Sequence, residues 1–418
     1  MTAARQGIAA YTAVTAAYWA FMITDGALRM LVLLHFHSLG FSPVQLAYLF
    51  ILYEIAGMVT NLTAGWIAAR YGLASTLYAG LTLQVVALVA LTQLDTNWTI
   101  ALSVTFVMLI QGLSGVAKDL TKMSAKSAVK FLAPDQNSGL FRWVAILTGS
   151  KNAIKGIGFF IGAALLGTLG YNAALLAMAA VLFIVLIVIV MRMPSGLPQG
   201  KTGAKFSDIL STSANINWLS AARFFLFGAR DVWFVVGIPI YFYGVLSDGT
   251  PHGNKTAFFI IGAFMAAWII LYGMVQAAAP KILKSRDSGL AQQMRAVTHW
   301  GLILAAVPIA LTALTLTGTP QTPEFAMIMA AGLIVFGVIF AVNSSLHSYL
   351  ILALSSAERV TLDVGFYYMA NAGGRLLGTL LSGLTYQWGG LPLMLGAASL
   401  MVMIAAIAGT RLHATDTH

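Results

Sequence analysis

The chain has 418 residues, 59% of them hydrophobic and only 9% charged, with a mean hydropathy of +0.85. Soluble domains carry about 25% charged residues, so a water-facing surface of this size is excluded. The net charge of +10 does not point to nucleic acid, because the basic residues are scattered between apolar runs, and the absence of cysteine excludes disulfide frameworks and thiolate metal sites.

At about 20 residues per span, the chain has room for twelve membrane helices and for no sizeable domain outside the bilayer. The expected fold class is an all-α integral membrane protein. Hydropathy places the first span at 12–37; it carries Asp25, Arg29, His35 and His37. It reads as a retained helix, since only Arg5 precedes it and no cleavage site is evident. The next spans are 44–68 with Glu54, 73–93, and 97–117 followed by Lys118 and Asp119. Lys118, Lys122, Lys126 and Lys130 then recur every four residues; Lys126 and Lys130 suit a solvated face at anionic lipid, Lys118 and Lys122 the mouth of an anion path. Spans at 139–168, with Arg142, Lys151 and Lys155, and 171–192 complete the first half. A polar stretch at 194–213 follows as a linker. The second half holds 214–245 with Arg223, Arg230 and Asp231, then 256–279, 291–317, 323–353, 360–387 with Arg375, and 391–410.

Six spans on each side of a linker imply two bundles, 1–193 and 214–418. The halves carry a faint repeat: Lys155, Gly158 and Gly162 return about 220 residues later as Arg375, Gly378 and Ser382. Gly26 to Arg29 is echoed by Gly228 to Asp231. Duplicated halves are one way in which transporters build a binding site. Placing both termini in the cytoplasm puts fourteen lysines and arginines on the inner side, among them Arg70, Lys201, Lys205, Lys284, Arg286 and Arg359, against Lys255 outside. That bias fixes the expected orientation.

Arg142, Lys118 and Asp119 lie nearer the cytoplasmic ends, whereas nine charges are placed within the bilayer: Asp25, Arg29, Glu54, Lys151, Lys155, Arg223, Arg230, Asp231 and Arg375. Each is costly in hydrocarbon, by roughly 2.5 kcal/mol or more, unless it meets water or a partner. Six are cations and three are anions, and that surplus suits a water-filled cavity for an anionic substrate. Asp25 and Arg29, four apart, are placed to neutralise each other. Arg230 and Asp231 point about 100° apart on a helix and are expected to pair poorly. Arg223 could snorkel to the interface. Lys151 and Lys155 share a helix face with no acid beside them, and Glu54 has no charged neighbour within a turn, which makes it the better proton-coupling candidate beside Asp25 and Asp231. Substrate binding is assigned to Arg29, Lys118, Lys122, Lys151, Lys155, Arg223, Arg230 and Arg375. His35 and His37 do not share a face, so no metal site is expected, and no catalytic or phosphate-loop motif occurs. Tyr241, Phe242 and Tyr243 read as packing.

Twelve spans in two halves resemble the major facilitator superfamily. The segment Gly65-Trp66-Ile67-Ala68-Ala69-Arg70-Tyr71-Gly72 is similar to its Gly-x-x-x-Asp-Arg-x-Gly signature, with Ala69 in place of the aspartate. More specifically, the chain resembles the organoarsenical efflux permeases of arsenic-resistance operons, the ArsJ type. The resemblance is carried by Thr24-Asp25-Gly26-Ala27-Leu28-Arg29-Met30 with His35-Phe36-His37, and by Ala117 to Leu120 with Lys122 to Ser127. Trp143 to Asn152, Ser220 to Gly228 and Arg230 to Trp233 extend it over both halves. It implies export of 1-arseno-3-phosphoglycerate, made when glyceraldehyde-3-phosphate dehydrogenase uses arsenate, and hence arsenate resistance. It also implies a bacterial inner-membrane protein, acting as a monomer without cofactor. Two other readings remain open: a carrier or exchanger of another phosphorylated metabolite or inorganic anion, and a membrane-embedded enzyme or receptor for an anionic lipid headgroup.

Overall fold

The computed structural model describes residues 3–95, 97–132, 139–192, 213–283, 289–355 and 360–413, and among these every regular element is helical. α1 (Ala3–Ser38), α4 (Leu73–Leu91), α5 (Ile100–Leu132), α6 (Gly139–Leu169), α7 (Tyr171–Arg192), α10 (Pro251–Ile282), α11 (Leu290–Thr317) and α12 (Pro323–Leu354) each cross as one helix. The second span is made of α2 (Pro43–Tyr48) and α3 (Ile51–Tyr71), and the seventh of α8 (Ala214–Phe234) and α9 (Gly237–Leu246). α13 (Val360–Gly409) is kinked at Gly389 and Gly390, where the backbone leaves the helical region.

Eleven stretches are long and apolar enough to span a bilayer, and the last, Asp363–Gly409, has 47 residues. At 1.5 Å per residue it is about 70 Å long, more than twice the ~30 Å hydrocarbon thickness. The kink divides it into two crossings, which makes twelve among the described residues. The predicted spans agree in place; the fourth runs on as a helix to Leu132.

Local sequence explains where helices start. Ser42 caps α2 with a reciprocal Gln45 bond, and Pro43 occupies the first turn, where its missing N–H is no loss. Thr250-Pro251 opens α10 and Thr322-Pro323 opens α12 by the same device. α6 and α7 are joined by Gly170 alone, at φ +77°, a backbone conformation that disfavours side chains.

The seventh span is broken between Phe234 and Gly237. The Oγ of Ser382 on α13 accepts hydrogen bonds from the freed Val236 and Gly237 amides at 3.3 and 3.1 Å. In hydrocarbon, unsatisfied amides of that kind are untenable, so the hydroxyl is what permits the break.

Two compact units are distinguished. The first comprises Met1–His35, Val59–Lys205 and Phe258–Ile270; the second comprises Phe36–Met58, Phe206–Ala257 and Leu271–His418. Val14, Tyr18, Phe21 and Met22 of α1 pack with Leu77, Leu81, Ala117 and Leu182 in the first. Ile216 and Leu219 of α8 pack with Met294, Val297, Leu346, Leu350 and Tyr367 in the second. α7 leaves Val181 and Ile184 about three-fifths exposed, an apolar face that only lipid would cover. The 194–212 part of the linker, Lys284, Arg286 and Arg359 lie outside the described residues, as do the side chains of Arg5, Ala69, Arg70, Lys126, Lys130 and Arg142.

Candidate functional site

In the first unit, α1 and α6 approach across glycines. A β-carbon on Gly158 would lie 2.5 Å from the Ile23 carbonyl oxygen, and one on Gly26 would lie 2.6 Å from that of Lys155. Gly162 sits as tightly against Ala27. Small residues allow this approach, and it brings the Lys155 ammonium onto Asp25, with Nζ donating to Oδ2 at 2.7 Å. Asp25 is 1% exposed at its side chain, Lys155 16%.

The second unit repeats the arrangement. Gly374 and Gly378 of α13 press against the Phe224 and Gly228 carbonyls of α8. Arg375, three residues before Gly378 as Lys155 is before Gly158, donates from Nε to Asp231 Oδ2 at 3.1 Å and from Nη2 to Glu54 Oε1 at 2.6 Å. Arg230 Nε donates to the other Asp231 oxygen at 2.6 Å. Glu54, Arg375, Asp231 and Arg230 therefore form one alternating chain of two acids and two cations.

A second cluster in the first unit joins α3 to α5. Asp119, 1% exposed, accepts from Thr60 Oγ1 at 2.6 Å and from Lys122 Nζ at 3.2 Å, with Lys118 Nζ at 3.8 Å. Lys122 also donates to Asn61 at 2.8 Å. Nearby, Trp19 Nε1 donates to Ser150 Oγ at 3.1 Å.

Arg223 stands apart in the second unit. Its Nε donates to Asn371 Oδ1 at 2.9 Å, and its Nη1 to the Ser344 carbonyl and hydroxyl at 3.0 and 3.1 Å. Tyr272 and Gln276 of α10 reach the same hydroxyl at 3.2 and 3.3 Å. The guanidinium lies 3.8 Å from the Phe227 ring centroid and 5.0 Å from that of Tyr367. All these partners are neutral, so the cation is held by cation–π and dipolar contacts instead of an ion pair.

Several sequence expectations are corrected by this geometry. Lys155 is not without an acid, because Asp25 faces it from another helix. Glu54 is not isolated, because Arg375 reaches it from α13. Arg230 and Asp231 do pair, since the long arginine stem bends back along the helix to its neighbour. Arg223 does not snorkel: the residue is 5% exposed and buried among four helices. Sequence spacing reports neighbours on the same helix, and each of these contacts except Arg230–Asp231 is made across helices. Arg29 and Lys151 are partly buried on α1 and α6. Sequence reading missed Asp119 as a hub, and also Ser344, His347, Asn371 and Gln276, which carry no charge and follow no motif.

His35 stacks on Tyr171 at 4.0 Å, and His37 meets Tyr243 edge-on at 4.8 Å. Among the described residues, no three histidine or acidic side chains converge as a metal ion would require. Tyr241 is buried and donates to the Pro320 carbonyl at 2.7 Å; Tyr243 donates to Asn254, also at 2.7 Å.

Solved transporters share the architecture over nearly their whole length. A structure of the nucleoside transporter NupG superposes with a TM-score of 0.70 at 16% identity, covering 99% of this chain and 98% of the other. A structure addressing substrate recognition in proton-dependent oligopeptide transporters gives 0.69 at 13% identity, with 96% and 97% covered. A POT family transporter in complex with 5-aminolevulinic acid gives 0.68 at 15%, with 94% of each chain covered. No family model matches the chain, and no curated protein matches it. The fold is thus the one seen in these solved transporters, all-helical among the described residues.

Proposed function

We propose that this chain is a secondary transporter of the major facilitator type that exports an anionic organoarsenical, 1-arseno-3-phosphoglycerate, from the cytoplasm and so confers resistance to arsenate. The observation that supports an anionic substrate is the pair of partly buried cations at matching places, Lys155 and Arg375, each held by a buried carboxylate on the neighbouring helix. A buried cation left alone is strongly unfavourable. Asp25 and Asp231 keep the two cations neutralised while no substrate is bound. Within each unit an incoming oxyanion competes with the carboxylate for its cation, Lys155 in the first with Arg29 and Lys151 on the same helices, Arg375 in the second with Arg230. Lys118 and Lys122, held at Asp119, belong to the approach of the anion.

Displacement also supplies a route to proton coupling. A carboxylate that loses its cation to the substrate is the group free to take a proton, which makes Asp25, Asp231 and Glu54 the coupling candidates. Glu54 is engaged by the guanidinium that also holds Asp231. The expected setting is the bacterial inner membrane, with both termini cytoplasmic, a monomer in lipid, and a glyceraldehyde-3-phosphate dehydrogenase supplying the substrate. A carrier role, not an enzymatic one, agrees with the fold.

Transport into everted vesicles tests the reading, with the arseno ester generated in situ and compared with 3-phosphoglycerate and arsenate alone. Uptake of arsenic only when the dehydrogenase runs is expected. Equal uptake of 3-phosphoglycerate or of arsenate would transfer the function to an ordinary organophosphate or inorganic anion, which the same cations would hold.

A further inference from the structure

We infer that Arg223 and Arg230 form a two-guanidinium recognition point for one tetrahedral oxyanion group, a phosphate or arsenate monoester, within the second unit. The inference rests on the proposal that the substrate is an organic oxyanion, and it names which of its groups this unit reads.

The two arginines lie seven residues apart on α8, two turns along one face. Both approach the ring of Phe227, which lies between them in sequence: one guanidinium carbon is 3.8 Å and the other 4.9 Å from its centroid. The two cations are therefore no farther apart than the sum of those distances. Arg230 has Asp231 to offset its charge, whereas the partners of Arg223 are an amide, a hydroxyl and a carbonyl. Counting Arg375 and Glu54, three guanidinium groups share two carboxylates. One positive charge stays unmatched within this cluster, and Arg223 carries it.

The surroundings of Arg223 suit an oxyanion. Its Nε and Nη1 are engaged, and among the described residues Nη2 meets no hydrogen-bond partner, so one end of the fork remains to donate. His347, one turn from Ser344 on the same face of α12, is 1% exposed, and neither ring nitrogen has a hydrogen-bond partner. Ser220, one turn before Arg223 on α8, is 2% exposed with an unpartnered hydroxyl. Buried polar groups are almost always satisfied, so an imidazole and a hydroxyl left without partners beside an arginine point to a missing acceptor. Arg223, Ser220 and His347 supply these donors from two helices. Three donors suit a phosphate or arsenate group with three terminal oxygens better than a carboxylate with two, and the unmatched positive charge of the cluster favours an anion.

The test is binding of stable probes to the purified full-length protein, measured by calorimetry: 3-phosphoglycerate, glycerate and inorganic phosphate. The wild type is expected to bind 3-phosphoglycerate at least about tenfold more tightly than glycerate. Arg223→Ala is expected to reduce that ratio to about one, and His347→Ala to reduce it several-fold. If Arg223→Ala yields no folded protein, Arg223→Lys serves, because it keeps the charge but gives up the fork; it is expected to weaken 3-phosphoglycerate more than glycerate. A wild type that does not prefer 3-phosphoglycerate over glycerate overturns the inference, as does an unchanged ratio in the Arg223 variants. Binding of inorganic phosphate as tight as that of the ester leaves the clamp standing and removes the carbon skeleton from recognition. Phosphate-ester binding without transport of the arseno ester would defeat the proposed function while sparing the clamp.

Discussion

A lysine and an aspartate buried together are safer than either alone, and this asymmetry separates structural from functional roles at Lys155. Removing one partner of a buried pair costs about 3–5 kcal/mol, because the other charge is stranded. Lys155→Ala should therefore lower both thermal stability and transport. In the double variant Lys155→Gln with Asp25→Asn, no charge is stranded. Stability should return toward wild type while transport stays absent, read by thermal unfolding in detergent and by vesicle uptake. Wild-type transport by the double variant would mean that the pair only holds α1 to α6. Arg375→Ala strands two carboxylates, Asp231 and Glu54, and should destabilise more than Lys155→Ala. Lys201→Ala in the linker should change little. Glu54→Gln separates coupling from structure at its own site: an altered pH dependence of transport is expected, and an unchanged rate and pH profile would leave Glu54 as a partner of Arg375 and nothing more.

The helices depend on atoms that a residue-by-residue reading undervalues. Ser382 holds two backbone amides at the break in the seventh span. Ser382→Ala should leave both unsatisfied at about 1–3 kcal/mol each, a loss visible as a lower midpoint of thermal unfolding; Ser382→Thr, which keeps the hydroxyl, should lose less. The glycine seams set the geometry of the ion pairs. Gly158→Leu or Gly378→Leu would drive a side chain into the facing helix backbone, where no rotamer offers relief. Each should separate its helix pair and abolish transport even where protein still reaches the membrane. The repeat between the units is one of architecture more than of residues. Lys155 and Arg375 hold the same place relative to Gly158 and Gly378, yet Asp25 lies two positions after Ile23 and Asp231 three after Gly228, the residues that those glycines face.

At the scale of the molecule, the lysine and arginine bias predicts both termini and the linker on the cytoplasmic side. Since the chain has no cysteine, one introduced at Ser195 would be the single thiol. It should resist an impermeant reagent applied to intact cells and react in everted vesicles. The proposed function predicts arsenate resistance that requires a glyceraldehyde-3-phosphate dehydrogenase, scored by growth of a sensitive bacterium with and without that enzyme. No protection against arsenite is expected, because neutral arsenous acid gains nothing from a cationic site. Protection against arsenite would sink the assignment.

The number and places of the spans were legible in the sequence, because crossing a bilayer needs about 20 apolar residues in a row and 9% charge leaves little to obscure them. The cations worth attention were legible for the same reason: in so apolar a chain, Lys155, Arg223, Arg230 and Arg375 stand out. Their partners were not. Asp25 reaches Lys155 across 130 positions of sequence and Glu54 reaches Arg375 across 321, and no local spacing encodes such distances. The partners of Arg223, Ser344 and Asn371, escaped for a further reason, since they are neutral residues without a pattern. Hydropathy is a property of consecutive residues and survives in one dimension. Charge compensation in a low-dielectric interior is set by which helix faces meet, and only the packed structure decides that.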